Sequence, residues 1–499
     1  STYIFLFILF GSFLEQAGMI KLFTDFALGT VGHTRGGPAK VAVISSGLMG
    51  TISGSGVANV VTTGQFTIPL MKRFGYSPAF AGGVEATASM GGQIMPPVMG
   101  AVAFIMAETI NVPYIEIVKA AVIPAILYFV TAFWMVHLEA GHKNLLGMAK
   151  EDCPNPWTAV RERWYLLLPL AGLVALLFSG YTPLFSGTVG LGLTAILIFG
   201  AAVLTGVKSL ALRGLFWALL GIACSGFFQF GVGAFFVLIA LLVALTYARR
   251  VGADARQLAI TALVDGARHA LPVAIACALV GVIIGVINLT GVAAELGGHI
   301  IAIGKESLFL ALFLTMVTCL VLGMGIPTIP NYIITSSLAA PVLLELGVPL
   351  IVSHMFVFYF GIMADLTPPV ALAAFAAAPI ARESGLKISM QAIRVAIAGF
   401  IVPFMAVYSP ALMLQSGDWT DTAWIVFKAL VAIAMWGAGA IGFLFGRLNW
   451  IERVVAIGSA SLLVVALPFT DELGLAGVAA FVAWHYWRNR QATARVASR

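Results

Sequence analysis

Two pairs of polar, glycine- and proline-rich breaks interrupt apolar stretches of the sequence, and they hold the side chains best suited to binding an ion. The first pair is GLMGTISGSGVANVVTTG at 47–64 and GGQIMPPVMGAVAF at 91–104. The second pair is GMGIPTIPNYIITSS at 323–337 and MADLTPPVALAAF at 363–375. Where a membrane helix unwinds, freed carbonyls can coordinate a cation, and the N-termini of the resumed helices can hold an anionic group. These breaks therefore favour cation binding and recognition of an anionic substrate.

The two pairs of breaks are copies of one pattern. The paired prolines at 96–97 recur 272 positions later, at 368–369, and Gly325 follows Gly50 by 275 positions. A bilayer cannot hydrogen-bond bare peptide groups, so unwound backbone at membrane depth must be buried in protein or face a hydrated cavity. Duplicated breaks of this kind are typical of secondary transporters, in which the binding site lies between the two copies.

The composition shows that water is not the main solvent of this 499-residue chain. Hydrophobic residues make up 61% of it and charged residues 10%, with a mean hydropathy of +1.02, whereas soluble domains have about 25% charged residues. The formal charge of +6 comes from Lys and Arg in short clusters between apolar runs. Such clusters are typical of cytoplasmic loops rather than of a nucleic-acid-binding surface. The sequence therefore predicts an all-α polytopic membrane protein that contacts the lipid bilayer and no nucleic acid.

Polar stretches between the apolar runs divide the chain into two repeats and an added bundle. The first half consists of a repeat at 1–136, with a re-entrant helical hairpin at 41–70 and a broken helix at 91–104, then a polar linker at 137–163. After connecting or scaffold helices at 164–256 come a second repeat at 257–408, with its hairpin at 323–345 and its break at 363–375, and a C-terminal transmembrane extension with a basic tail at 409–499. Each repeat thus carries one hairpin and one break.

One polar stretch of the second repeat suggests a helix of a different kind. Asp265, Arg268 and His269 share residues 257–271 with several leucines, a pattern that suits a helix lying in the membrane interface ahead of a span at 272–289. Near the end of a span, an arginine such as Arg268 is explained by default as snorkelling to the lipid headgroups.

Several motifs, in the same order, resemble those of the large membrane subunit of tripartite ATP-independent periplasmic (TRAP) transporters, most closely the TAXI subclass. They are SGSGVANVVTTG at 53–64, EATASMGGQIMPPVMGAVAFIMAE at 85–108 and FYFGIMADLTPPVALAAFAAAPIA at 358–381. The resemblance covers residues 4–408, and the C-terminal bundle is similar to extensions of TAXI members. Small and large membrane domains are often fused in that subclass, so we expect that a small membrane subunit or fused domain is missing ahead of Ser1.

The resemblance implies a sodium-driven importer of organic acids, such as dicarboxylates, keto acids or amino acids like glutamate. Its substrate would come from a TAXI-type periplasmic binding protein, and an elevator domain built from two inverted repeats would carry it across a bacterial or archaeal cytoplasmic (inner) membrane. Sodium would be the coupling ion, with no other cofactor and no enzymatic activity. The tail is expected to be cytoplasmic by the positive-inside rule, because it contains Arg488, Arg490, Arg495 and Arg499.

The resemblance also implies where sodium binds, namely at the hairpin tips and the breaks that face them. Carried over position by position, the candidate ion-binding residues are Ser53, Gly54, Ser55, Asn59, Gly92, Gln93, Gly323, Gly325, Thr328, Asp365 and Thr367. Many members have an acidic residue at the second tip where this chain has Pro327. We expect Asp365 to replace it, because a carboxylate in an apolar span is costly without a cation partner.

The candidate substrate-binding residues are Asn331, Tyr332 and Glu85. Asn331 and Tyr332 follow the second tip and could instead pack in the helix bundle. Glu85 lies in an apolar run, where it could instead pair with a nearby cation.

Other functional classes leave different patterns in a sequence. A proton-coupled carrier would share the same fold, whereas an ion channel would be expected to show a selectivity ring or a continuous polar pore face, and neither is evident. A membrane enzyme would need a nucleophile with its base or a paired metal motif, and the chain has no GxSxG, HExxH or GxxxxGK[ST] motif. The cysteines and histidines show no metal-ligand spacing, so no metal beyond sodium is expected.

Overall fold

The computed structural model describes residues 2–465 and 469–497, and within these ranges the chain is helical, without β-strands. The first repeat contains, in order, α1 Thr2–Gln16, α2 Met19–Val31, α3 Gly37–Ser53, α4 Gly56–Arg73, α5 Pro78–Gly91, α6 Gly100–Thr109 and α7 Tyr114–Lys143. The connecting helices are α8 Pro156–Arg163, α9 Leu167–Phe178, α10 Pro183–Val203, α11 Leu210–Ser225, α12 Phe227–Phe230 and α13 Gly233–Ala248.

The second repeat follows the order of the first. It contains α14 Ala253–Thr290, α15 Val292–Glu306, α16 Leu308–Leu322, α17 Thr328–Glu345, α18 Leu350–Ala364, α19 Leu372–Ala381, α20 Gly385–Val395 and α21 Ile397–Tyr408. The C-terminal extension consists of α22 Trp419–Ile441, α23 Trp450–Leu462 and α24 Thr470–Ala497. Of the predicted basic tail, Arg499 lies outside the described residues.

The two repeats keep a constant register across whole elements. The helices α4, α5 and α6 begin at 56, 78 and 100, and α17, α18 and α19 each begin 272 positions later. In both copies the Pro-Pro peptide bond is cis, and the resumed helix starts after a residue with positive φ, Met99 at 55° and Ala371 at 42°. The duplication seen in the sequence is therefore a duplication of structure, from the hairpin tips to the resumed helices.

Length and composition identify the helices that can cross a membrane. In the described residues these are α7, α10, α14 and α22, to which two bent pairs can be added. The pair α1–α2 bends by 63° and the pair α20–α21 by 43°. Apolar helices that are too short to span alone, such as α16 and α18, form the hairpin and broken elements. The fold class predicted from the sequence, an all-α polytopic membrane protein, is confirmed.

Two boundaries differ from those expected. The predicted interfacial helix at 257–271 is not a separate element, because α14 is one 38-residue helix that continues through Pro272. Proline is tolerated inside membrane helices where neighbouring groups satisfy the freed backbone. The second hairpin, predicted at 323–345, gains α16 as its first arm, so that its tip is the loop at 323–327.

The repeats interlock around the hairpins. The arms α3 and α4 pack on α5, and the arms α16 and α17 pack on α18. Across the repeats, α4 packs on α19 and α5 on α20, while α1 packs along α14. The extension is attached through α22, which packs on α7. Its last carbonyls accept hydrogen bonds from two arginines, Arg394 to Ala440 O (2.9 Å) and Arg453 to Gly439 O (2.6 Å), which satisfies the C-terminal end of that helix.

Candidate functional site

A cavity of about 370 Å³ lies where the two hairpin tips meet α1 and α14. Its wall is formed in part by the N-terminal turns of four helices, two from each repeat. These turns are represented by Val57 of α4, Gly100 of α6, Thr328 of α17 and Leu372 of α19. Helix N-termini carry a partial positive charge and free N–H groups, which together favour an anion. The duplicated breaks thus produce an anion-attracting cavity at the point where the repeats converge.

The first hairpin tip is shaped by a glycine in the left-handed region. Gly54 has φ 66° and follows the last residue of α3, and the Ser55 hydroxyl then caps α4 by accepting from Ala58 N at 3.3 Å. The tip rests directly on the start of α6, since a Cβ added at Gly54 would lie 2.9 Å from Gly100 Cα. Ser53, Gly54 and Ser55 consequently lie on the cavity wall.

Behind the first tip lie two buried amide side chains with unpartnered oxygens, which we call the first oxygen layer. Asn59 and Gln93 are each 1% exposed, and Oδ1 of Asn59 and Oε1 of Gln93 have no hydrogen-bond partner among the described residues. Gly50 and Gly92 allow α3 to pack closely against the break that follows α5. A Cβ added at Gly50 would lie 2.5 Å from Gly92 Cα and 3.3 Å from Asn59 Nδ2. Buried polar atoms are normally satisfied, so these oxygens fit a ligand that accepts lone pairs, such as a cation.

The second repeat has the equivalent layer in the same register. Asn331 follows Asn59 by 272 positions and Asp365 follows Gln93 by 272. Both are fully buried, and Oδ1 of Asn331 and both carboxylate oxygens of Asp365 lack a hydrogen-bond partner in the described chain. Gly323 lies against Asn331, because a Cβ there would be 2.6 Å from Asn331 Nδ2. The first layer is therefore neutral and the second contains a carboxylate.

The candidate ion-binding residues fall into three groups in the structure. Asn59, Gly92, Gln93, Gly323 and Asp365 form the two buried layers. The residues on the cavity wall are Ser53, Gly54, Ser55 and Thr328, together with Asn59, which reaches both regions. Of the remaining two, Gly325 shapes the second tip with φ 74°. The Thr367 hydroxyl donates to Met363 O at 2.7 Å, which leaves its oxygen lone pairs for a ligand.

The candidate substrate-binding residues do not line the cavity. Asn331 donates through Nδ2 to Gly361 O at 2.7 Å, and the Tyr332 hydroxyl lies 2.8 Å from Nδ1 of His354. Glu85 is 0% exposed and is enclosed by hydroxyl groups of the first hairpin. All three are buried between helices and outside the cavity wall, and Asn331 belongs to the second oxygen layer.

Three ionisable residues of the cavity wall had no predicted role there. Arg268 and His269 come from α14, and Glu15 comes from α1. Arg268 forms no ion pair with a carboxylate in the described part of the chain. The neighbouring Asp265 accepts a hydrogen bond from Gln16 at 3.0 Å, which ties α14 to α1. The sequence did contain a signal for these residues, namely a cluster of ionisable side chains in an otherwise apolar stretch. From the sequence, Arg268 was explained there by snorkelling to the lipid headgroups.

The contact between Gly50 and Gly92 gives a first testable prediction. The Gly50→Ala variant is expected to lose roughly 1–3 kcal/mol of stability, as overpacked sites do, because the added methyl group meets backbone atoms that cannot rotate away. Thermal unfolding of the purified protein in detergent measures the loss. Gly281→Ala is the matched control, since Gly281 is also helical and a Cβ there has no neighbour within 4 Å. Equal unfolding temperatures for the two variants would contradict the close contact.

The fold and the site define an all-helical polytopic membrane protein with a duplicated core. The sequence profile of the family described as "Tripartite ATP-independent periplasmic transporter, DctM component" matches residues 1–417. The chain therefore belongs to this family, as the motifs indicated. The helices α22 to α24 lie beyond the matched residues.

Named relatives agree with this assignment. The chain is 32% identical over 179 residues to the C4-dicarboxylate TRAP transporter large permease protein DctM of Pseudomonas aeruginosa, covering 36% of this chain and 41% of the relative. It is 29% identical over 223 residues to the protein of the same name from Rhodobacter capsulatus, covering 42% and 49%. A third relative is the 2,3-diketo-L-gulonate TRAP transporter large permease protein YiaN of Escherichia coli, 25% identical over 184 residues, covering 37% and 43%. The alignments span less than half of each relative, and all three are named as transporter permeases rather than enzymes.

Proposed function

We propose that this protein is the membrane permease of a secondary active importer of organic acids, driven by a sodium gradient. The observation that carries the proposal is the convergence of four helix N-termini on one cavity whose wall also holds Arg268. An organic acid presents a carboxylate, and an arginine can bind a carboxylate through two parallel charge-assisted hydrogen bonds. Relatives named for C4-dicarboxylates and for 2,3-diketo-L-gulonate support the same class of substrate.

Sodium coupling is supported by the two matched oxygen layers. Asn59 and Gln93 present unpartnered oxygens in the first, and Asn331 and Asp365 present them in the second. Sodium is a hard cation, and amide, carboxylate and backbone oxygens are suitable ligands for it. We therefore assign one sodium ion to each repeat, directly behind the hairpin tips that border the substrate cavity. Ion binding would hold the tips in place, so that substrate binds to a site that sodium has completed.

We further propose that the hairpin-bearing repeats move as an elevator against the other helices and that the repeats are inverted. A TAXI-type periplasmic binding protein would deliver the substrate, and a small membrane subunit or fused domain would complete the scaffold. The motif set and the helices beyond residue 417 support the TAXI assignment. The inner membrane is the proposed location, with the C-terminus in the cytoplasm. A proton-coupled carrier of the same fold is the second candidate, favoured by the single carboxylate of the second layer, Asp365.

Uptake by reconstituted vesicles tests the proposal. The full chain, its small membrane subunit and its binding protein would be supplied with labelled C4-dicarboxylates and keto acids under an inward sodium gradient, an inward proton gradient, or neither. We expect accumulation only with the sodium gradient. Accumulation driven by the proton gradient alone would favour the second candidate, and gradient-independent flux that never exceeds equilibrium would favour a channel.

A further inference from the structure

A series of polar side chains, called the polar ladder here, connects the first oxygen layer to a carboxylate deeper in the hairpin. Because a cation is proposed to bind there, the oxygen layer is called the ion layer below. Residues four positions apart on a helix share one face, and here two such series face each other. The ladder consists of Asn59, Thr63 and Thr67 on α4, and of Gln93, Ser89 and Glu85 on α5 and the turn that follows it. The ends of the ladder are therefore the ion layer on one side and Glu85 on the other.

The Glu85 carboxylate receives hydrogen bonds but no opposite charge. Its Oε1 lies 2.7 Å from the hydroxyl of Ser46, 2.5 Å from that of Thr63 and 3.0 Å from that of Ser89, and its Oε2 lies 2.5 Å from that of Thr67. Within the described residues, no Lys, Arg or His nitrogen approaches it to 4 Å. Hydrogen bonds to an ionised group are stronger than neutral ones, so four hydroxyls can hold a negative charge on Glu85 in place, and no ion pair cancels that charge.

The second repeat keeps the counterpart of Thr63, which is Thr335, but lacks the carboxylate and other members of this arrangement. At the positions 272 residues after Glu85, Thr67 and Ser89, it has Val357, Ala339 and Gly361. At the ion layer it is the second repeat that carries the carboxylate, since the neutral Gln93 of the first repeat corresponds to Asp365. Each repeat thus has one carboxylate on the equivalent ladder, at the ion layer in the second repeat and about two helical turns below it in the first.

We propose that Glu85 supplies the negative charge for a cation bound by the neutral oxygens of Asn59 and Gln93. This inference rests on the sodium coupling proposed above. The connection is short, because Asn59 Nδ2 donates to Ser46 O at 2.8 Å and the Thr63 hydroxyl lies 2.7 Å from Asn59 O. The eight positions from Glu85 to Gln93 correspond to about 12 Å along a helix axis, a separation across which charges still interact in a protein interior. Glu85 therefore acts at a distance, because the electric field of its charge stabilises the cation. It is a positioning residue that touches neither ion nor substrate.

Sodium binding to the purified full chain tests this role without a transport assay. Equilibrium binding of radioactive sodium is measured for the wild type and for Glu85→Gln, which preserves the shape of the side chain. We expect two sites in the wild type and a roughly 10- to 30-fold weaker first site in the variant, as expected for removing one charge at this range, with the second site unchanged. Wild-type sodium binding together with unchanged affinity in Glu85→Gln would overturn the role of Glu85 alone, whereas a wild type that binds no sodium would contradict the coupling itself.

Relocating the charge separates an electrostatic role from a structural one. The double variant Glu85→Gln with Gln93→Glu places the carboxylate at the ion layer, as in the second repeat, and we expect it to recover at least wild-type affinity at the first site. A double variant as weak as Glu85→Gln would overturn the proposal. If Glu85→Gln alone does not fold, the double variant is compared with Gln93→Glu, which keeps Glu85. We expect the double variant to bind sodium at the first site roughly 10-fold more weakly, and equal affinities would overturn the proposal.

Discussion

Replacing Asp365 by Asn is expected to abolish sodium-driven uptake while making the sodium-free protein more stable. The carboxylate is fully buried, and neither of its oxygens has a hydrogen-bond partner in the described chain. A buried charge without a partner is costly, so a neutral amide of the same shape should raise the stability of the sodium-free protein by about 1–3 kcal/mol. The same change removes a charged ligand, and apparent sodium affinity at the second site should fall by roughly 100-fold or more.

The opposite signs of these two effects distinguish a ligand from a structural residue. Thermal unfolding with sodium or with choline measures both, because an ion that binds only the folded state stabilises it. We expect Asp365→Asn to unfold at a higher temperature than the wild type in choline and to gain less from sodium. Asp25→Asn is the control, since Asp25 forms an ion pair with Arg163 at 3.3 Å and should leave the sodium response unchanged. Lower stability of Asp365→Asn in both salts would contradict the assignment.

Replacing Arg268 by Gln should raise the KM for the organic acid by about 100-fold, as expected for losing charge-assisted hydrogen bonds to a carboxylate. Arg268 lies on the cavity wall, and no described carboxylate lies within 4 Å of its guanidinium group. Arg268→Lys keeps the charge but loses the planar, two-pronged geometry, so an intermediate KM is expected. Uptake by reconstituted vesicles across a range of substrate concentrations measures the effect.

Two further measurements make the Arg268 result specific. Arg213→Gln changes an exposed arginine of α11 that is not part of the cavity wall and should leave KM unchanged. Sodium binding should be the same in Arg268→Gln as in the wild type, because the oxygen layers lie behind the hairpin tips. An unchanged KM in Arg268→Gln would remove it from the substrate site and return it to the role of anchoring α14 at the membrane surface.

The sequence predicted the duplicated core because its signals are local. Glycine and proline interrupt helices wherever they occur, and a bilayer tolerates such interruptions only at protected sites. The register of 272 positions was visible in the paired prolines, and the structure extends it to Asn59 with Asn331 and to Gln93 with Asp365.

Other features depend on which helix faces meet, which a single sequence does not specify. Glu85 was a candidate for substrate binding, although its four-residue spacing to Ser89 and Gln93 was readable as one helix face. Arg268 was explained by snorkelling because the packing of α14 along α1 joins residues about 250 positions apart. Pro272 suggested a helix boundary, yet α14 continues through it, since the effect of a proline depends on its surroundings.

Saturation binding of radioactive sodium to the purified full chain tests the central claim, that each repeat holds one sodium ion behind its hairpin tip. We expect two ions per chain in the wild type and, at concentrations that saturate the wild type, one in Asp365→Asn, with the remaining ion bound by the layer of Asn59 and Gln93. Absence of saturable sodium binding, or equal binding of potassium at both sites, would contradict the account.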